Sequence, residues 1–139
     1  MNGELPLADH GDTGLFARLG WNDGHTESFA YTEVDRTASV GAQLSGVHWG
    51  RPEDHAGLGL AINGLSAGHR NYLALGRSGF VLGDGALSYG TERITELYYS
   101  LALGSHVTLS PDLQWVANPG YNRDRGPVRF AGLRVHLQF

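Results

Sequence analysis

Residues 128–139 read VRFAGLRVHLQF, and their reading decides the fold. From Gly132 the side chains alternate without a break. Leu133, Val135, Leu137 and Phe139 fall on one face, and Gly132, Arg134, His136 and Gln138 on the other. A period of two marks a β-strand, because successive Cβ atoms point to opposite sides of the chain. The run ends on an aromatic residue where termini are ordinarily polar and frayed, so that end is expected to be covered. One apolar face, one polar face and a closing aromatic suit a strand crossing an outer membrane, with lipid on one side and water on the other. The last strand of a soluble sandwich shows the same alternation against a protein core, and this stretch alone does not separate the two.

Composition narrows the field. The 139 residues are one domain's worth of chain. Charged residues make up 17%, below the ~25% of ordinary soluble domains. The net charge of −4 leaves no basic stripe for phosphates, so nucleic acid is not expected as a partner. Cysteine is absent, which removes disulfides, thiolate metal sites and a cysteine nucleophile. No run of about 18 apolar residues exists for a helical span, a test that does not bear on barrels. Residues 1–12 (MNGELPLADHGD) lack the basic and apolar regions of a secretory signal, and are expected to be disordered or non-native.

Five further stretches alternate in the same way. They are Gly14–Asn22, Ala38–His48, Ala56–Asn63, Thr91–Gly104 and Thr108–Asn118, giving about six strands with the terminal one. Ser66 is placed to cap a short helix running to Ala74 within the long, glycine-rich connection Gly64–Gly90. Connection lengths alternate: long at 23–37, short at 49–55, long at 64–90, short at 105–107, and medium at 119–127. Short periplasmic turns and longer extracellular loops produce this rhythm in outer-membrane barrels, and a sandwich has no reason to. The expected architecture is therefore an all-β, antiparallel up-and-down meander over residues 13–139.

The alternation also sorts the polar side chains. Arg18, Gln43, Asn63, Glu96, Tyr98, Asp112, Gln114, Asn118, Arg134 and His136 fall on the face expected to meet water. Amides, carboxylates, guanidinium groups and a phenol can bond neutral hydroxyls as donors or acceptors, which suits small neutral sugars better than the single-sign rings of an ion filter. Cross-strand pairing with one another is the ordinary use of such residues. Leu97, Tyr99, Leu101, Trp115, Leu133, Val135 and Leu137 fall on the face expected to meet lipid.

Other chemistry finds little support. The seven His residues do not cluster, and no metal-ligand spacing appears. Asp23, Glu27, Glu33 and Asp35 lack calcium-loop spacing and read as a solvated acidic loop. Gly83-Asp84-Gly85 is followed by neither helix nor lysine, which argues against a phosphate loop. No nucleophile elbow occurs, and neither an enzyme nor a cofactor is expected.

Particular residues then carry a resemblance. They include GLFARLGWNDG (14–24), Trp49-Gly50-Arg51-Pro52, His69-Arg70-Asn71-Tyr72-Leu73-Ala74, and Leu82-Gly83-Asp84-Gly85 with Tyr89-Gly90. The most specific piece is Leu109-Ser110-Pro111-Asp112-x-Gln114 running into Asn118-Pro119-Gly120-Tyr121-Asn122-x-Asp124-Arg125-Gly126-Pro127-Val128. Together these resemble the C-terminal part of the carbohydrate-selective porins of the OprB type. The resemblance implies a segment of a 16-stranded outer-membrane barrel that passes sugars passively. It also implies a terminal Phe139 read by the barrel-assembly machinery. Six strands are fewer than the ~8 of the smallest transmembrane barrels. The chain is accordingly expected to be part of a longer porin that needs the remaining strands, or further copies of itself, to make a channel. The competing expectation is a soluble all-β carbohydrate-binding or envelope structural module, with Trp21, Trp49 and Trp115 as stacking surfaces.

Overall fold

A computed structural model describes residues 1–25, 33–79, 81–82 and 85–139. Glu27 and the Gly83-Asp84 pair considered above lie outside the described residues. Seven strands form one antiparallel sheet in sequence order: β1 (Asn2–Ala8), β2 (Thr13–Trp21), β3 (Arg36–Ser45), β4 (His55–Gly64), β5 (Glu92–Leu103), β6 (Val107–Ala117) and β7 (Val128–Leu137). Helix α1 (Ala67–Ala74) sits in the longest connection, and the Ser66 hydroxyl accepts from the His69 N–H at its start. The alternating stretches become strands because period-two side chains can each keep one environment only in extended backbone.

The N-terminus departs from expectation. Residues 2–8 are β1, paired with β2 from Asn2 opposite Arg18 to Ala8 opposite Thr13. The alternation there is only two apolar steps long and is broken by Pro6, which hides it in the sequence. The register shifts between Pro6 and Ala8. The added β1–β2 turn falls at the same end as the other short turns, so the short-long rhythm extends by one more step. At the other terminus Phe139 lies beyond β7 and is fully exposed in this chain, contrary to the expectation of cover.

Pairing register fixes two faces. From Leu5 and Leu15 through Val40, Leu60 and Leu97 to Leu113 and Leu133, one face is apolar across the sheet. That face has no second layer: Leu60 is 46% exposed, Leu113 58% and Leu133 67%. Among the described residues the buried apolar side chains are Leu65, Leu73, Leu82, Val116 and Tyr121. Four of these form a cluster in the long connections, flanked by Leu87 and Tyr89. The cluster is drawn together by the 118–121 corner. Asn118, Gly120 and Tyr121 all have positive φ there, a conformation a bulky side chain adopts only when its surroundings enforce it. The Tyr121 hydroxyl donates to the Glu33 carbonyl at 2.6 Å.

Glu33 and Asp35, expected in a solvated acidic loop, are buried. The Glu33 carboxylate accepts from the Val81 and Leu82 N–H groups. Asp35 accepts from the Ser66 N–H at 2.7 Å and lies 3.1 Å from the His69 ring. Backbone donors of the connecting loops have no ladder to join, and buried carboxylates satisfy them.

The short-turn end is held by a different device. β5 runs past the start of β4, where His55 pairs Ser100, so Ala102, paired with Thr108 of β6 on one side, has no strand on its β4 side. The buried Asp54 carboxylate accepts from the Ala102 N–H (2.9 Å) and the Arg51 guanidinium donates to the Ala102 carbonyl (2.9 Å). Arg51 also donates to Asp54, which accepts from the Tyr99 hydroxyl at 2.7 Å. The Trp49 indole N–H donates to that same hydroxyl at 2.9 Å. The turn thus substitutes side chains for the missing strand. Nearby, the β5–β6 ladder skips Tyr99 and Ser100, opposite Pro111, which has no N–H to give.

Two outcomes follow. The Arg51 hydrogen bond, with lesser help from Tyr99 and the Ala102 N–H, holds the Asp54 carboxyl well below the usual carboxylate range. The contribution is complete above the unfolded pKa of about 4 and is lost as pH falls from there through the folded pKa. Asp54→Asn is expected to lower the urea midpoint in detergent at neutral pH and to flatten its dependence below about pH 5; an unchanged acid limb would assign that limb to other carboxylates. Leu73→Ala is expected to remove about 2–5 kcal/mol from the loop cluster, read as faster amide exchange in α1 with exchange in β5 and β6 unchanged.

Candidate functional site

The polar face carries the chemistry. Register places Arg18, Gln43, Asn63, Glu96, Tyr98, Asp112, Gln114, Arg134 and His136 on it. All the carboxylates within the strands, Glu4, Glu92, Glu96 and Asp112, lie on this face as well. The structure does not gather the sequence candidates into one site. Glu96, Tyr98, Asp112, Gln114 and Arg134 come together across β5, β6 and β7, around a cavity of about 550 Å³ also lined by Ser100, Ser110 and Gly132.

Within that patch the rows are set by strand pairing. Glu96 faces Gln114, which faces Phe130; Tyr98 faces Asp112, which faces Gly132; Ser110 faces Arg134. Gly57 of β4 has no side chain where the Tyr98 ring lies across it, and a Cβ there would collide with the ring. The Tyr98 hydroxyl can therefore reach over β4 and donate to the Gln43 Oε1 at 2.8 Å. Gln43 in turn donates to the Asp12 carbonyl at 3.2 Å. Glu96 sits near enough to Asp112 and Arg134 to feel both charges, so opposite and like charges share one half-exposed surface.

The remaining candidates sit elsewhere. Asn63 is used across strands: Thr37 donates to it at 2.8 Å and it donates to Glu92 at 3.3 Å. Asn118 lies past the end of β6, where its amide donates to the Thr91 carbonyl and helps set the loop corner. Arg18 lies on β2, across from Asn2 and Ser39, away from the patch. His136 faces Thr108 at the short-turn end.

The candidates assigned to lipid, Leu97, Tyr99, Leu101, Trp115, Leu133, Val135 and Leu137, all share the apolar face. Tyr99 is the exception in chemistry, since its hydroxyl belongs to the Asp54 turn. The three tryptophans make no common platform. Trp21 and Trp115 stand at the long-loop end of the apolar face, while Trp49 is bound to Tyr99 at the short-turn end.

Sequence reasoning missed two rings. Phe16 and Phe130 lie on the polar face, opposite Gly41 and Gln114, and are 43% and 54% exposed. Phe130 precedes the unbroken alternation that begins at Gly132, and Phe16 stands inside a run of apolar neighbours. Strand parity was the signal that could have found both.

Comparison with known proteins agrees with this geometry. No curated protein matches the chain. Among solved structures, one described as the high pH structure of Pseudomonas putida OprB superposes with a TM-score of 0.77 at 24% identity. The alignment covers 99% of this chain and 34% of that one, so the chain spans about a third of its solved neighbour. The family described as carbohydrate-selective porin, OprB family, matches residues 4–139. The chain belongs to the OprB family of carbohydrate-selective porins.

Proposed function

We propose that this chain forms seven consecutive strands of an outer-membrane porin that lets small neutral sugars diffuse passively, with no reaction and no cofactor. One observation carries the reading: a seven-stranded sheet whose apolar face is uncovered and whose other face holds every carboxylate of the strands. No helix among the described residues is long and apolar enough to cross a membrane; in this reading the strands make the crossing. Arg18, Gln43, Asn63, Glu96, Tyr98, Asp112, Gln114, Asn118, Arg134 and His136 then belong to the water-filled side. Leu97, Tyr99, Leu101, Trp115, Leu133, Val135 and Leu137 belong to the lipid side.

The β5–β7 patch suits a sugar in particular. Carboxylate, amide, hydroxyl and guanidinium groups offer both donors and acceptors to ring hydroxyls, and Phe130 offers a flat apolar surface beside them. β1 and β7 each leave one edge unpaired. Unpaired backbone is not tolerated in lipid, so further strands, from the remainder of a longer porin or from other copies, complete the barrel. Phe139, exposed and at the rim of β7, is free to be read by the barrel-assembly machinery.

Leu60→Arg separates this reading from a soluble module. In the middle of a lipid-facing strand the substitution is expected to cost about 2–4 kcal/mol in vesicle-inserted protein. On a solvent-exposed surface it would cost at most ~0.5 kcal/mol, and the unmodified chain would stay folded and monodisperse without detergent. In the completed barrel, Asp112→Ala with Phe130→Ala is expected to weaken sugar affinity by roughly tenfold, as the loss of about one to two net hydrogen bonds and a stacking surface implies. Current blockade by monosaccharide reads this, and unaltered blockade would remove the patch from the sugar path.

A further inference from the structure

The apolar face is not uniform from end to end. Arg36, Arg93 and Arg129 are the first or second residues of β3, β5 and β7, the strands that enter the sheet from the long connections. Register puts all three on the apolar face, Arg36 opposite Trp21, Arg93 opposite Ile62 and Arg129 opposite Trp115. They therefore form a staggered row across the sheet at its long-loop end, successive members two strands across and two residues along, roughly 12 Å apart. All three are exposed. Among the described residues no carboxylate lies within ion-pair distance of any of them.

The contrast with the rest of the face is sharp. No strand carboxylate shares it, since Glu4, Glu92, Glu96 and Asp112 are all on the other side. Its short-turn end is uncharged, running through Leu44, Ala56, Leu103, Val107 and Leu137. Below Arg36 the same face carries a shallow furrow of about 600 Å³, whose apolar lining includes Leu5, Leu15, Ala17, Val40 and Leu58. A cationic rim over an apolar field matches an amphiphile with an anionic head and hydrocarbon tails. A planar guanidinium, weakly hydrated and forked, matches a phosphate in particular.

We propose that Arg36, Arg93 and Arg129 form a binding row for the phosphate groups of lipid headgroups in the leaflet at the long-loop end, with the acyl chains lying along the apolar face below. The inference rests on the reading of that face as lipid-facing. Trp21 and Trp115 fix the same level, since indoles settle at the headgroup boundary.

Detergent-solubilised chain, titrated separately with phosphatidic acid, phosphatidylcholine and palmitate and examined by native mass spectrometry, tests it. Wild type is expected to retain phosphatidic acid at least tenfold better than either other lipid. Each arginine contributes about fivefold, so the triple variant Arg36→Gln, Arg93→Gln, Arg129→Gln is expected to lose the preference. If circular dichroism shows that the triple variant has lost its sheet, the single variants carry the test at about fivefold each. Equal retention of palmitate, or a preference that survives the substitutions, overturns the phosphate row while leaving the porin reading intact. A chain that is folded and monodisperse without detergent overturns both.

Discussion

Hydrocarbon accepts no hydrogen bond, and this constraint governs the whole sheet. Backbone exposed to lipid must be paired inside the protein. The seven strands satisfy this internally except along the outer edges of β1 and β7. The departures from a regular ladder are then informative. Pro111 interrupts pairing between β5 and β6, and on the other side of β5, beyond the start of β4, Ala102 finds its partners in Arg51 and Asp54. Side chains act as backbone substitutes only at the ends of the sheet, where water is near and a charged pair is tolerable.

The two ends are stabilised by different physics. At the short turns the stabilising unit is polar and local, built from Trp49, Arg51, Asp54 and Tyr99. At the long loops it is a small apolar core around Leu73 and Tyr121, underpinned by the buried carboxylates of Glu33 and Asp35. Between them the strands have no core of their own. Their apolar side chains are exposed unless another phase covers them. Burial of the Tyr121 hydroxyl pushes its pKa far above the ordinary phenol range, keeping it a donor to the Glu33 carbonyl.

Much of the fold was legible because alternation is a direct imprint of pleated geometry. The strands from Gly14 onward, the helix capped by Ser66 and the two-faced division of side chains could all be read from the residues. β1 could not, because a strand interrupted by Pro6 and paired on one side leaves too few alternating positions. The clustering of Glu96, Tyr98, Asp112, Gln114 and Arg134 depends on register between strands, which pattern along one strand does not carry. The burial of Glu33 and Asp35 depends on loops meeting across 30 to 50 positions of chain. Alternation assigns Arg18, Asn63 and Asn118 to the polar side, but the partners of Asn63 and Asn118 lie in other strands and loops that no single strand's pattern reveals.

Strand order has an outcome of its own. Each strand pairs only with its neighbours in sequence, from β1 through β7. A meander of this kind can gain or lose a whole hairpin at either edge without rewiring any remaining strand pairing, changing circumference but not connectivity. Because its pairings are between chain neighbours, the ordering entropy of each step stays small. The sheet can therefore lengthen one hairpin at a time, each new strand templated on the edge left by the last.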